Sequence, residues 1–78
     1  MSSVLRSMTN DDACKAFGIR LRDKRLAAGI SQEDLASRAN LDRTYVSGCE
    51  RGKRNPSLKT MVKLANALNI DLMDFFNA

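Results

Sequence analysis

Between Asp42 and Lys63 the chain carries six basic side chains (Arg43, Arg51, Lys53, Arg54, Lys59, Lys63) against two acids, Asp42 and Glu50, whereas Leu64 to Ala78 holds only Asp71 and Asp74. Guanidinium and ammonium groups at that density suit one kind of chemistry, the neutralisation and hydrogen bonding of polyanion oxygens. A net charge of +4 over 78 residues points the same way, although on charge alone a solvated helix face followed by a charged loop is the plainer account. Other chemistries lack their parts. With no histidine, Ser-His and Cys-His nucleophilic machinery is excluded and the commonest zinc ligand is missing. The acids fall mainly at expected helix starts rather than in a metal cluster, so no catalytic residue, no metal site and no cofactor is expected, and an enzyme acting on nucleic acid is disfavoured. Cys14 and Cys49 are too far apart for a C-x-x-C motif and read as free thiols in a reducing cytoplasm, Cys14 at the surface.

The elements that must position the basic side chains follow from helix punctuation. At this length one core is the ceiling, and period-2 alternation of β-branched residues is absent, so the chain reads as all-α. Thr9 or Asn10 caps a first helix, about 11–28, with Phe17, Leu21 and Ala28 inward and Gly29 as its left-handed stop. Ser31-Gln32-Glu33-Asp34 is a capping-box variant that opens a second helix, about 32–39, burying Leu35, Ala36 and Ala39. Asn40 suits a positive φ, Leu41 turns back to the core, and Asp42 caps a third helix, about 43–51. Gly52-Lys53-Arg54-Asn55-Pro56 is an exposed loop. Ser57 then caps a fourth helix, about 58–68, carrying Leu58, Met61, Leu64, Ala65 and Leu68. Asn69 stops it, Ile70 tucks in, and Asp71 with Asp74 opens a fifth short helix. Residues 1–10 read as a flexible tail and 11–78 as one domain. No apolar run approaches the roughly 18 residues of a membrane span, and no signal-like block starts the chain, so neither export nor a membrane partner is expected.

Two short helices joined by a tight Asn40-Leu41 connection meet the requirement of a helix-turn-helix. Here the sequence resembles the phage-repressor-like (Xre/Cro) helix-turn-helix family. The likeness lies in Gly29-Ile30-Ser31-Gln32-Glu33-Asp34-Leu35-Ala36, in Tyr45-Val46-Ser47, and in Glu50-Arg51-Gly52-Lys53-Arg54-Asn55-Pro56-Ser57. Within that family, Leu41-Asp42-Arg43-Thr44-Tyr45-Val46-Ser47 is most similar to restriction-modification controller proteins. The resemblance implies a compact five-helix lambda-repressor-like domain. It also implies a homodimeric, sequence-specific transcriptional regulator on a pseudo-palindromic operator in double-stranded DNA, working in the prokaryotic cytosol or nucleoid. The same fold also serves as an antitoxin or adaptor module that binds an acidic protein partner.

Carried onto these residues, the resemblance puts Arg43 at the start of the third helix, its fork toward guanine O6 and N7 in a major groove. Thr44 and Ser47 share that face, and Tyr45 either packs beneath the helix or turns its hydroxyl to a phosphate or base. Ser31 and Gln32 sit at the start of the second helix, where the family uses the glutamine to clamp the DNA backbone. Lys53, Arg54 and Asn55 extend along neighbouring phosphates, with Arg54 long enough to enter a minor groove instead. Gly48 departs from the larger polar residue often seen at its position. It either lets the helix backbone approach DNA closely or serves packing, at about 1 kcal/mol of helix propensity. Arg25 continues the Phe17-Leu21 inward stripe and, by the resemblance, forms a buried ion pair with Glu50. No small-molecule ligand is evident.

One recognition helix covers too few base pairs to select a site, so two copies must act together, joined away from the third helix. Leu72, Met73, Phe75 and Phe76 place four large apolar side chains within five residues, more than a short terminal helix hides in its own core. Met73 and Phe76 are assigned to the partner copy and Phe75 to the core. Leu72 leans to the core beside the same contact, and the pattern also permits the reverse split.

Overall fold

In the computed structural model, which describes residues 8–76, the helices begin and end where the local chemistry sets them. They are α1 (Asn10–Ala27), α2 (Gln32–Ala39), α3 (Arg43–Glu50) and α4 (Leu58–Ala67), followed by a 3-10 turn (Leu72–Phe75). Thr9 caps α1 by accepting the Asp12 N–H at 3.0 Å, and the Asp12 carboxylate accepts the Thr9 N–H at 3.3 Å. Ser31 and Asp34 repeat that box at α2, with Oγ accepting at 3.0 Å, and Ser57 accepts the Thr60 N–H at 3.1 Å to cap α4.

All four helices end at their C-termini by one device. A left-handed residue (Gly29, Asn40, Gly52 or Asn69, with φ of 72, 57, 74 and 58°) reverses the chain. The next N–H then bonds back to a carbonyl of the last turn: Ile30 to Arg25, Leu41 to Ala36, Lys53 to Gly48 and Ile70 to Ala65. After α1, α2 and α4 the returning residue is apolar and packs on the core. After α3 it is Lys53, which stays in solvent.

The core joins Phe17 and Leu21 of α1, Leu35, Ala36 and Ala39 of α2, Val46 and Cys49 of α3, Leu64 and Ala65 of α4, and the two later residues Leu68 and Phe75. Phe75 meets Phe17 edge to face, with centroids 5.0 Å apart, and so closes the C-terminal turn onto α1. The α1–α3 crossing depends on Gly18. A Cβ there would stand 2.4 Å from the Cys49 carbonyl oxygen and 2.7 Å from that of Glu50, so only glycine lets α1 lie directly on the C-terminal end of α3.

Several expectations are corrected. The domain has four α-helices, not five, among the described residues. The segment after Asn69 makes a single 3-10 turn, because four residues between Asp71 and the half-exposed Phe76 cannot propagate an α-helix. Helices α1, α3 and α4 each end one residue earlier than expected, at Ala27, Glu50 and Ala67, because the residue before each left-handed stop is the C-cap. Asn10 belongs to α1 rather than to the tail, since Thr9 provides the cap, and residues 1–7 of that expected tail lie outside the described residues. Ala28 is exposed, because it is the C-cap where the chain leaves the inward stripe. Leu58 is exposed at the first position of α4, ahead of that helix's buried face. Asp42 occupies the N-cap of α3 without a side-chain cap bond. Cys14 is half-buried rather than at the surface.

Candidate nucleic-acid interface

Helices α2 and α3 pack against each other across the Asn40-Leu41 connection and form a helix-turn-helix. Two apolar anchors fix α3: Val46 and Cys49 are fully buried, and the Cys49 thiol is pushed up to about 11 by that burial, which keeps it protonated and inert. With one side sunk in the core, the opposite side is free. Arg43 and Thr44 open α3 exposed, and Ser47 follows one turn later, half-buried. The three present a five-donor guanidinium and two hydroxyls from one rigid element.

Tyr45 takes the packed alternative. It is half-buried against the core, and burial raises its phenol above the ordinary value, with the neighbouring Cys49 a smaller cause in the same direction. Arg54 returns from the loop to lie over the Tyr45 ring, its guanidinium carbon 5.5 Å from the ring centroid. Lys53 and Asn55 are exposed beside it, and Arg51 donates from Nε to the Ser47 carbonyl at 3.4 Å.

The expected Arg25–Glu50 pair is present and does more than expected. Arg25 Nε meets Glu50 Oε2 at 2.6 Å and Nη2 meets Oε1 at 3.0 Å, a bidentate fork, while Nη1 donates to the Ile30 carbonyl at 3.0 Å. The carboxylate raises the guanidinium pKa still further, through the hydrogen bond more than through charge alone. Gln32 joins the same carboxylate, with Nε2 donating to Oε1 at 3.0 Å. One acid therefore fastens the end of α3 to α1 and to the start of α2, while Arg25 ties α1 to the turn that follows it. The Gln32 amide nitrogen is thus engaged by Glu50, and the first N–H groups of α2 lack intrahelical carbonyl partners. The Ser31 hydroxyl oxygen is engaged by the Asp34 N–H.

At the far end of the molecule, the C-terminal turn packs on α1 and α4. Phe75 is buried, Leu72 is half-buried, and Met73 and Phe76 are 59% and 52% exposed. Phe76 also borders an apolar groove of about 350 Å³ with Met8, Ala13, Ala16, Phe17, Arg20 and Phe75. Among the described residues no three His, Cys, Asp or Glu side chains gather as metal ligands, and no helix is long and apolar enough to cross a membrane.

Three contacts escaped the sequence reading: Gly18 at the α1–α3 crossing, Gln32 on Glu50, and Arg54 over Tyr45. A signal existed only for the first. An isolated glycine deep in an 18-residue helical stretch marks close packing.

This architecture defines a helix-turn-helix protein, and the helix-turn-helix family model matches residues 21–75, so the chain belongs to that family. Its relatives include restriction-modification control proteins. The control protein C.BamHI of Bacillus amyloliquefaciens is 46% identical over 63 residues, covering 76% of this chain and 78% of that protein. The crystal structure of the restriction-modification controller protein C.AhdI from Aeromonas hydrophila superimposes with a TM-score of 0.80 at 52% identity, covering 82% of this chain and 97% of that one. The controller protein C.Esp1396I, solved as a tetramer in complex with its natural 35 base-pair operator, matches with a TM-score of 0.76 at 38% identity, covering 81% of this chain and 83% of that one.

Proposed function

We propose that this chain is a sequence-specific, duplex-DNA-binding transcriptional regulator that controls a restriction-modification system as a homodimer on a pseudo-palindromic operator. The observation that carries the reading is α3 itself. It is anchored by Val46, Cys49 and the Glu50 fastening, so it offers Arg43, Thr44 and Ser47 outward at the head of a basic loop. Arg43 reads guanine, Thr44 and Ser47 read adjacent base edges, and Lys53, Arg54 and Asn55 take phosphates. Ser31 and Gln32 bring the α2 N-terminus to the backbone on the other side. Binding of C.Esp1396I to its operator supports the choice of duplex DNA as partner. The working compartment is the prokaryotic cytosol.

Exposed Met73 and Phe76, with Leu72 at their edge, join two copies and set the recognition helices about 34 Å apart on one face of the duplex. Substituting both Met73→Lys and Phe76→Lys gives a folded helical monomer with most operator affinity lost; an unchanged dimer in sedimentation moves the interface elsewhere. Selection of bound duplexes from a random pool tests the function as a whole. It is expected to yield two-fold-symmetric half-sites spaced by about 10 base pairs or a multiple. A pool without enrichment overturns the reading in favour of a protein-binding module.

A further inference from the structure

Arg54 lies on an exposed loop, yet its side chain is folded back along α3. The loop is turned by the left-handed Gly52 and the Lys53 N–H to Gly48 carbonyl bond of 2.8 Å, which brings the next residue alongside the helix. The Arg54 chain then crosses Gly48. A Cβ at Gly48 would stand 2.9 Å from Arg54 Cγ, 3.3 Å from Nε and 3.6 Å from Cδ, and these are the nearest atoms it would meet. Beyond Gly48 the guanidinium settles over the Tyr45 ring at 5.5 Å. Tyr45 and Gly48 are three residues apart on α3, so ring and gap are neighbours on one flank of the helix.

We infer that Gly48 and Tyr45 are positioning residues for Arg54: the missing side chain of one and the aromatic face of the other form a seat that holds the arginine against α3 before DNA arrives. This deepens the DNA-binding reading and rests on it. An arginine free in solvent must be ordered when it meets a phosphate or a groove, and holding it beforehand removes that loss. A cation over a ring at an exposed site favours the seated position by a factor of about two to five. Gly48 is therefore kept small for a neighbour's side chain rather than for the approach of DNA to the helix backbone.

Gly48→Ala separates this from a fold requirement. Alanine is the better helix former, and only a flexible side chain blocks its methyl, so the variant is expected to melt no lower than the wild type. In the free wild-type protein the Arg54 δ-methylene and Nε protons should show upfield ring-current shifts by NMR. Tyr45→Phe should keep those shifts, and Tyr45→Leu and Gly48→Ala should lose them. Binding is measured on a duplex selected by the wild type from a random pool. Gly48→Ala should weaken it about two- to tenfold in the wild-type background and leave Arg54→Ala unchanged, because the two act through one side chain. Shifts that persist in Gly48→Ala, or losses that add in the double variant, overturn the seat. A wild type that selects no duplex refutes the DNA reading, and the NMR shifts still decide the seat by themselves.

Discussion

The turn between α2 and α3 and the loop after α3 are built on the same backbone motif and serve opposite ends. Each begins with a left-handed residue, Asn40 or Gly52, and each sends an N–H back to the preceding helix at 2.8 Å. What differs is the next side chain. Leu41 packs on the core and fixes the angle between two helices, whereas Lys53 points into solvent and starts a run of exposed Lys53, Arg54 and Asn55. The same reversal thus locks one junction and presents a charged arm at the other. The backbone device makes the shape, and one residue's polarity decides whether that shape is structural or available to a partner.

The sharpest way to break this contrast is to release the end of α3, which Glu50 holds to Arg25 and Gln32. Glu50→Ala leaves Arg25 buried without its partner and should cost about 3–5 kcal/mol of folding stability by denaturant titration. A wild-type midpoint would place Glu50 outside the fold's support. Next in size comes the matched pair at the two reversals. Leu41→Ala should cost about 2 kcal/mol, at the lower end for a leucine because its side chain is only half-buried. Lys53→Ala should stay within about 0.5 kcal/mol in stability while lowering the slope of log affinity against log salt by about one. Equal destabilisation by the two would erase the distinction. A further effect is confined to alkaline pH. Burial lifts the Cys49 thiol from its ordinary value of 9.0 to about 11, so the folded state holds a proton that the unfolded state has released. That contribution is complete below pH 9 and declines as pH rises toward 11. Cys49→Ala should flatten the stability profile over that interval.

Much of this was legible in the residues because the signals were local. Ser31 with Asp34, Asn40, Asn69 and Gly29 marked helix ends by their own hydrogen bonding and φ preferences, and the core of α2 followed from three positions on one helical face. The Arg25–Glu50 pair, 25 residues apart, was accessible only because the resemblance supplied the partner and an inward stripe supplied the direction. What stayed hidden depends on how elements meet. Gln32 stands at a helix start, where the resemblance puts a DNA-backbone contact, and nothing local signals that its amide also lies on a carboxylate 18 residues away. Nor could spacing distinguish a Gly48 that admits DNA from one that admits Arg54, since loop geometry decides between them. The C-terminal turn is not an α-helix for a different reason: its four residues fall short of the length that helix propagation needs.

The direct test of base reading by α3 is the affinity of Arg43→Ala for a selected duplex and for a scrambled duplex of equal length, over a series of salt concentrations. Affinity for the selected duplex should fall by about 1–3 kcal/mol, the preference at one position per half-site should relax, and binding to the scrambled duplex should change far less. An equal fall on both duplexes would contradict base reading and reduce Arg43 to one more phosphate contact.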